Sequence, residues 1–361
     1  MQIQTALAKI VESKNLSREE SAQVFNLIMT GETTDAQIGA FLAAMRVKGE
    51  TAEELAGAAE TMRSLSSKVT LTSSEKLVDT CGTGGSGLKL FNISTAAAFV
   101  ASASGALVAK HGNRKMTSFC GSADVLEAAG IKLELTPEQI ADCINQIGIG
   151  FMFAPAHHSA MRYAGPVRQE LSIRTMMNIL GPMTNPAQAK RQVIGVFARE
   201  WQEKIARVLQ MLGSVHALVV HSEGLDEIRL DAPTHVVELK DDTITEYTIS
   251  PRDFGIAEAT PEELQKLSAD SVSKSLELVK EGLSQPDSLA ANIVALNAGA
   301  AIYVSGQALS LEAGVEMAKD AISAGLATEK MKDFADFTQQ ISAAETTVVG
   351  SLCSSVTCAR V

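Results

Sequence analysis

From about residue 77 onward, short apolar segments of strand length alternate with segments of helical period, and few architectures accommodate that alternation. The candidate strands are 77–80, 106–110, 150–154, 192–197, 216–221 and 234–239, with 240–250 as a further edge strand. Helical segments fall between them at 94–104 and 123–129, and another opens at Thr136-Pro137-Glu138-Gln139, where Thr caps, Pro takes the first turn and Gln closes the box. Strands that alternate with helices pair in parallel and are covered on both faces. A chain of 361 residues, 46% of them hydrophobic, is long enough for such a core and for two structural units or one large α/β domain. Only 4% are aromatic, so the core has to be built from aliphatic side chains and Met.

Residues 1 to about 70 read differently. Ser17 with Glu20, Thr34 with Gln37 and Thr51 with Glu54 have the capping-box spacing, and Gly31 and Gly49 stand where helices stop. After Thr34, the residues Ile38, Phe41, Leu42 and Met45 share one helical face. Residues 160–185 interrupt the alternation with helical character, and 260–344 are again mostly helical. The expected fold is α/β: a small N-terminal helical domain plus a larger α/β domain whose mostly parallel central sheet is flanked by helices. Trp201 is expected at the edge of a polar helix, and His157 and His158 at the surface or in a helix cap.

A formal net charge of -11 argues against non-specific nucleic-acid or membrane binding. An anionic ligand then requires a local site of amides, helix N-termini, a few cations or a metal. Cys81, Cys120, Cys143, Cys353 and Cys358 have neither disulfide nor zinc spacing and read as free thiols, the last two in a polar, frayed tail. The stretch from Met1 to Lys14 lacks a signal-peptide core, and the longest apolar run, 95–109, is too short to span a bilayer. The expectation is a cytoplasmic protein without a membrane partner.

Four segments carry possible chemistry. Cys81-Gly82-Thr83-Gly84-Gly85-Ser86-Gly87 follows a strand and turns amides outward. Asn92-Ile93-Ser94-Thr95 then opens a helix at its positive end. The spacing is neither that of a Walker A loop nor that of a dinucleotide fingerprint. Lys110-His111-Gly112-Asn113-Arg114-Lys115 lies one βα unit later, where three cations crowd a strand's carboxyl end, and Gly121-Ser122-Ala123-Asp124 starts the next helix. Asp226-Glu227, beyond another strand, suits a Mg²⁺ ion that also binds phosphates. Arg168 can grip a carboxylate through two parallel hydrogen bonds.

Taken in this order and spacing, and together with Asn178-Ile179-Leu180-Gly181-Pro182 and Gly224-Leu225-Asp226-Glu227, these segments resemble the anthranilate phosphoribosyltransferase family of tryptophan biosynthesis over nearly the whole chain. The resemblance implies a helical domain of residues 1–70 plus about 163–190, and an α/β domain of 75–160 and 191–350. It implies a homodimer through the helical domain and a hinge-cleft site with Mg²⁺ as cofactor. Gly82, Gly85, Ser86, Asn92, Ser94, Thr95, Lys110, Asn113, Ser118 and Ser122 would bind phosphoribosyl pyrophosphate, and the loop 114–122 would close over it. Gly82, Asn113 and Arg168 would face anthranilate. Ser94, Asp226 and Glu227 would hold the metal. No acid–base residue is required, because an arylamine is already neutral at pH 7 and positioning does much of the work.

The chain departs from the family pattern at Ser86, where Asp is usual, at Leu90, where a small polar residue is usual, and at Met116-Thr117-Ser118-Phe119-Cys120-Gly121, where Val-Ser-Ser-Lys-Ser-Gly is usual. Weakened or altered donor binding is the corresponding expectation. Two alternatives stand beside the main reading: a paralogue acting on another aromatic acceptor or donor, and a non-catalytic relative that binds nucleotide or nucleic acid.

Overall fold

Ser17, Thr34 and Thr51 each accept a hydrogen bond from the backbone three residues on, and the Glu or Gln there reaches back to the cap. These boxes set the starts of α2 (Arg18–Thr30), α3 (Asp35–Lys48) and α4 (Ala52–Leu65), which with α1 (Ile3–Val11) form the N-terminal bundle. The structure, a computed structural model, describes residues 1–85, 87–114 and 120–356, with side chains to residue 343.

Glu54 has a second task besides its box. Fully buried, it accepts from the Leu16 amide at 2.8 Å and from Lys48 Nζ at 2.9 Å, so the chain entering α2 and the end of α3 are tied to one carboxylate.

The chain continues through β1 (Leu77–Gly82), α5 (Ile93–Ala103), β2 (Leu107–Gly112), α6 (Ser122–Ala128), α7 (Pro137–Asp142) and β3 (Ile149–Phe153). The short α8 (Ala154–His157), α9 (Met161–Leu171) and α10 (Met177–Leu180) precede β4 (Arg191–Gly195), α11 (Gln202–Met211), β5 (His216–His221), β6 (Thr234–Lys240) and β7 (Thr243–Ile249). Helices α12 (Pro261–Gln265), α13 (Val272–Ser284), α14 (Leu289–Ser305), α15 (Leu311–Ser323) and α16 (Leu326–Val356) complete the fold. The last runs straight through the segment expected to be a frayed tail and carries Cys353 within it; Cys358 lies outside the described residues. The apolar run 95–109 resolves into α5 and the first half of β2, and among the described residues no single helix is long and apolar enough to cross a membrane.

One seven-stranded sheet, ordered β3-β2-β1-β4-β5-β6-β7, organises everything else. Its first five strands are parallel, while β6 and β7 form an antiparallel hairpin turned by Asp241 and Asp242, both at positive φ. Successive side chains feed two cores, as the period of two requires. Val193, Leu218, Val220 and Val236 pack with α5, α13, α14 and α15. Ile194, Ala217, Val219, Val237 and Leu239 pack on the opposite face with α1–α4, α9, α10 and α11. Trp201 belongs to this second core at 3% exposure, not to a helix edge: the short turn before α11 points its ring inward against the sheet.

The Glu54–Lys48 pair generates a stability test. Glu54→Ala leaves a lysine with a 3% exposed side chain facing no carboxylate, so unfolding in urea is expected to show a loss of about 3–5 kcal/mol.

Candidate functional site

Strand order reverses at β1: the chain first adds β2 and β3 on one side, then returns to lay β4 on the other. A crevice opens at the carboxyl ends of strands at such a point. Here those ends are two glycines in register, Gly82 and Gly195. The loop after β5 folds across them, held by mutual bonds between Ser222 and Leu225 and by Ser222 Oγ donating to the Pro233 carbonyl at 2.6 Å. A Cβ on Gly195 would stand 1.6 Å from the Asp226 carbonyl oxygen, and one on Gly82 would stand 2.6 Å from Asp226 Oδ2. Only glycine at both strand ends lets Asp226 in.

The glycine-rich turn is then built onto this loop. The Gly84 amide donates to Asp226 Oδ2 at 2.8 Å, the Thr83 amide donates to the Gly195 carbonyl at 2.9 Å, and Thr83 Oγ1 accepts from the Phe197 amide at 3.2 Å. Arg174, between α9 and α10, donates to the Gly85 carbonyl and lays its guanidinium 4.2 Å from the centre of the Phe197 ring. Neither Gly195 nor Arg174 stands out in the sequence, since each becomes meaningful only through a partner far along the chain.

Helix α5 aims its N-terminus at the same crevice. The Ser94 amide donates to Glu227, whose carboxyl is nevertheless pushed up to about 8 by burial and by Asp226 beside it, against the pull of Lys110. Lys110 is buried, donating to the Thr80 carbonyl at 2.5 Å and to Ser94 Oγ at 3.2 Å. Burial lowers its pKa, opposed by Asp79, Cys81 and Glu227. Beneath it, Asp79 is fully buried, accepting from the His111 amide at 3.1 Å and from Asn185 Nδ2 at 2.8 Å. Gly82, Ser94, Lys110, Asp226 and Glu227 therefore converge as one cluster of opposed charges.

The remaining expected residues divide. Asn92 and Ser94 are half-buried at the start of α5, whereas Thr95 is fully buried with an unpartnered hydroxyl, facing the core side of that helix. Asn113 and Ser122 are neighbours, since the Asn113 carbonyl accepts from the Ala123 amide at 3.2 Å. Arg114 is not a free cation of this crowd: Glu127 holds it at 2.7 and 3.1 Å and Asp124 at 3.3 Å. Arg168 on α9 is half-buried, and its side chain makes no hydrogen bond or ion pair with any described residue; burial lowers its pKa. Ser86, Lys115, Ser118 and Phe119 lie outside the described residues, whereas Leu90 forms an isolated bridge with Ser268.

Known proteins match this arrangement along its length. The description "Glycosyl transferase family, helical bundle domain" fits residues 4–66, and "Glycosyl transferase family, a/b domain" fits residues 74–328. An anthranilate phosphoribosyltransferase of Cellvibrio japonicus is 55% identical over 346 residues, covering 94% of this chain and 100% of its own. The chain belongs to the anthranilate phosphoribosyltransferase family. Another member, from Marinomonas sp., is 55% identical over 94% of this chain and 98% of its own. The crystal structure of the Thermus thermophilus anthranilate phosphoribosyltransferase superposes with a TM-score of 0.87 at 38% identity, over 92% of this chain and 99% of that one. The fold is shared as far as the Saccharomyces cerevisiae enzyme in complex with PRPP and Mg, at 24% identity and a TM-score of 0.84 over 94% and 98%. The resemblance read from the motifs, and the α/β fold with its small helical domain, are both borne out.

One expectation holds only in part at this site: His158 does cap α8, as its C-cap, but neither histidine of the pair lies at the surface. His157 and His158 are buried, at 2% and 7% exposure, and with His111 they form an interior cluster. The rings of His111 and His158 lie 5.1 Å apart, His157 Nδ1 pairs with the Ser67 carbonyl at 2.7 Å, and all three Nε2 atoms are buried without a partner. The sequence shows polar residues at a helix end, and that end is buried because α8 is a single turn packed against β3. Burial, then the neighbouring histidines, depress His111 to about 3 and His158 to about 4; burial lowers His157 as well. These pKa values lie below that of an unfolded histidine, about 6.5. Their contribution to stability is therefore complete above that pH and is lost as the pH falls toward 4. The urea midpoint is expected to decline from pH 6.5 to pH 4, and less steeply in His158→Gln.

Proposed function

We propose that this protein transfers the phosphoribosyl group of phosphoribosyl pyrophosphate to anthranilate and releases pyrophosphate. The observation that carries this reading is the pairing of two unlike polar sites, the first of which would take an anion together with a divalent cation and the second an anion directly. One is the crevice of Gly82, Ser94, Lys110, Asp226 and Glu227 at the switch point. The other is the half-buried, unpaired guanidinium of Arg168. A polyanionic donor suits the first, and a small carboxylate-bearing acceptor suits the second.

The metal follows from the donor set. Asp226, Glu227 and Ser94 offer only oxygen, which suits Mg²⁺. A carboxyl held protonated up to about 8 beside a second one marks an excess of negative charge that a divalent cation relieves. Among the described residues no three His, Cys, Asp or Glu side chains gather as ligands of one ion, so the remaining ligands would be substrate oxygens and water. Held by these residues, Mg²⁺ would supply positive charge for the pyrophosphate leaving group.

The chain's own groups do the rest. Backbone amides of the glycine turn and the α5 N-terminus, with Gly85, Asn92, Asn113 and Ser122 around them, fix the donor. Lys110, buried within bonding reach of Ser94, keeps positive potential under the crevice as the bond from the anomeric carbon to pyrophosphate breaks. Arg168 orients anthranilate so that its amine nitrogen bonds to that carbon as the bond to pyrophosphate breaks, and the proton it loses passes to water or to the departing pyrophosphate. No side chain has to act as a base, because the lone pair is already available. The same reading includes a homodimer through the helical bundle, where Val11 and Val47 remain 71% and 88% exposed.

Mixing the protein with anthranilate, phosphoribosyl pyrophosphate and Mg²⁺ is expected to quench anthranilate fluorescence. In the Asp226→Ala/Glu227→Ala double variant that decay should vanish; decay that persists there, or is absent from the wild type, overturns the reading. Arg168→Ala is expected to raise KM for anthranilate by about 10- to 100-fold, as for a lost hydrogen bond to a charged ligand, with KM for the donor within about twofold.

A further inference from the structure

Asn is among the best residues for capping a helix, and Asn92 occupies the N-cap of α5, yet its side chain makes no capping bond. It is held elsewhere. Ser275 on α13, fully buried and 183 positions away in sequence, accepts from the Asn92 amide at 3.1 Å and donates its hydroxyl hydrogen to Asn92 Oδ1 at 2.7 Å. This reciprocal pair fixes both the main chain and the side-chain carbonyl of Asn92. The other end of the side chain, Nδ2 with its two donors, makes no bond to any described residue and belongs to a half-buried side chain at the mouth of the crevice.

We infer that Ser275 is a positioning residue for the phosphoribosyl donor: it withholds Asn92 from capping α5, so that the Asn92 amide nitrogen and the helix N-terminus both stay available to anionic oxygen. The inference rests on the transferase reading above and adds a residue that touches no substrate. A side-chain cap is forgone at α5, and the donors so released would meet the ligand. The arrangement is also specific in its polarity. A hydroxyl that presents its hydrogen to the carbonyl end of the amide turns the nitrogen end away from α13.

The test compares wild type, Ser275→Ala, the near-isosteric Ser275→Cys, Asn92→Ala and the Ser275→Ala/Asn92→Ala pair, in turnover with Mg²⁺ and in calorimetric titration with phosphoribosyl pyrophosphate. Ser275→Ala is expected to raise KM and Kd for the donor about tenfold, with Ser275→Cys in between and KM for anthranilate within about twofold. The double variant should match Asn92→Ala alone, because Ser275 acts only through Asn92. The melting temperature of Ser275→Ala should hold or rise, since the freed Asn92 can now cap α5. A fallen melting temperature with unchanged donor KM identifies a merely structural serine and overturns the inference, as do additive effects in the double variant. Ser275→Cys keeps the packing should Ser275→Ala fail to fold, and wild-type donor KM in that variant overturns the inference equally. A wild type that neither binds nor consumes the donor refutes the transferase reading itself, and this inference falls with it.

Discussion

The approach of Asp226 to the ends of two adjacent strands is the contact on which the site depends. A carbonyl lying where a Cβ on Gly195 would be, and a carboxylate lying against Gly82, bring the loop after β5 over the β1/β4 crevice. From there the order of construction is simple. Asp226 takes the Gly84 amide, the Gly195 carbonyl takes the Thr83 amide, and Phe197 and Arg174 brace the turn from outside. The turn's shape is thus set by contacts from three separate parts of the chain, and its own glycines only permit it.

Charge is managed by layering. Asp79 lies deepest, satisfied by Asn185 and the His111 amide, and Lys110 rests above it within reach of Thr80 and Ser94. The carboxylates of the β5 loop come last, at the opening. An isolated cation or anion at such depth is costly to bury, but alternating layers let each neutralise the next. The outermost layer is left negative, in need of a counter-ion.

Much of this is visible in the residues alone, for reasons that can be named. The capping boxes at Ser17, Thr34, Thr51 and Thr136 are local, and all form as their spacing predicts. The strands emerge near their expected positions because aliphatic runs flanked by turns have few other uses; β1 extends two residues further, taking Cys81 and Gly82 out of the turn. What stays hidden is whatever depends on a distant partner. Gly195 looks like any strand-end glycine until Asp226 is placed beside it. Arg174, in the link between α9 and α10, and Ser275, on α13, are ordinary polar residues in the sequence. Arg114 looks like a ligand-binding cation until Glu127, a turn and a helix later, claims it. The burial of Trp201 and of the histidine pair stays hidden for a related cause: polar neighbours in sequence do not disclose which way a single turn faces.

The clearance at Gly195 also bears on how such a chain can drift. A position where any side chain would strike the backbone of the facing loop at 1.6 Å has no neutral alternatives. Substitution is therefore steered toward stretches whose main chain answers to no such contact. Gly82, Gly195, Asp226 and Glu227 keep the frame, while the residues in which this chain departs from the family pattern, Leu90 among them, fall at other positions of the sequence. Variation of this kind can retune how tightly a ligand is gripped without touching the scaffold that decides where it lies.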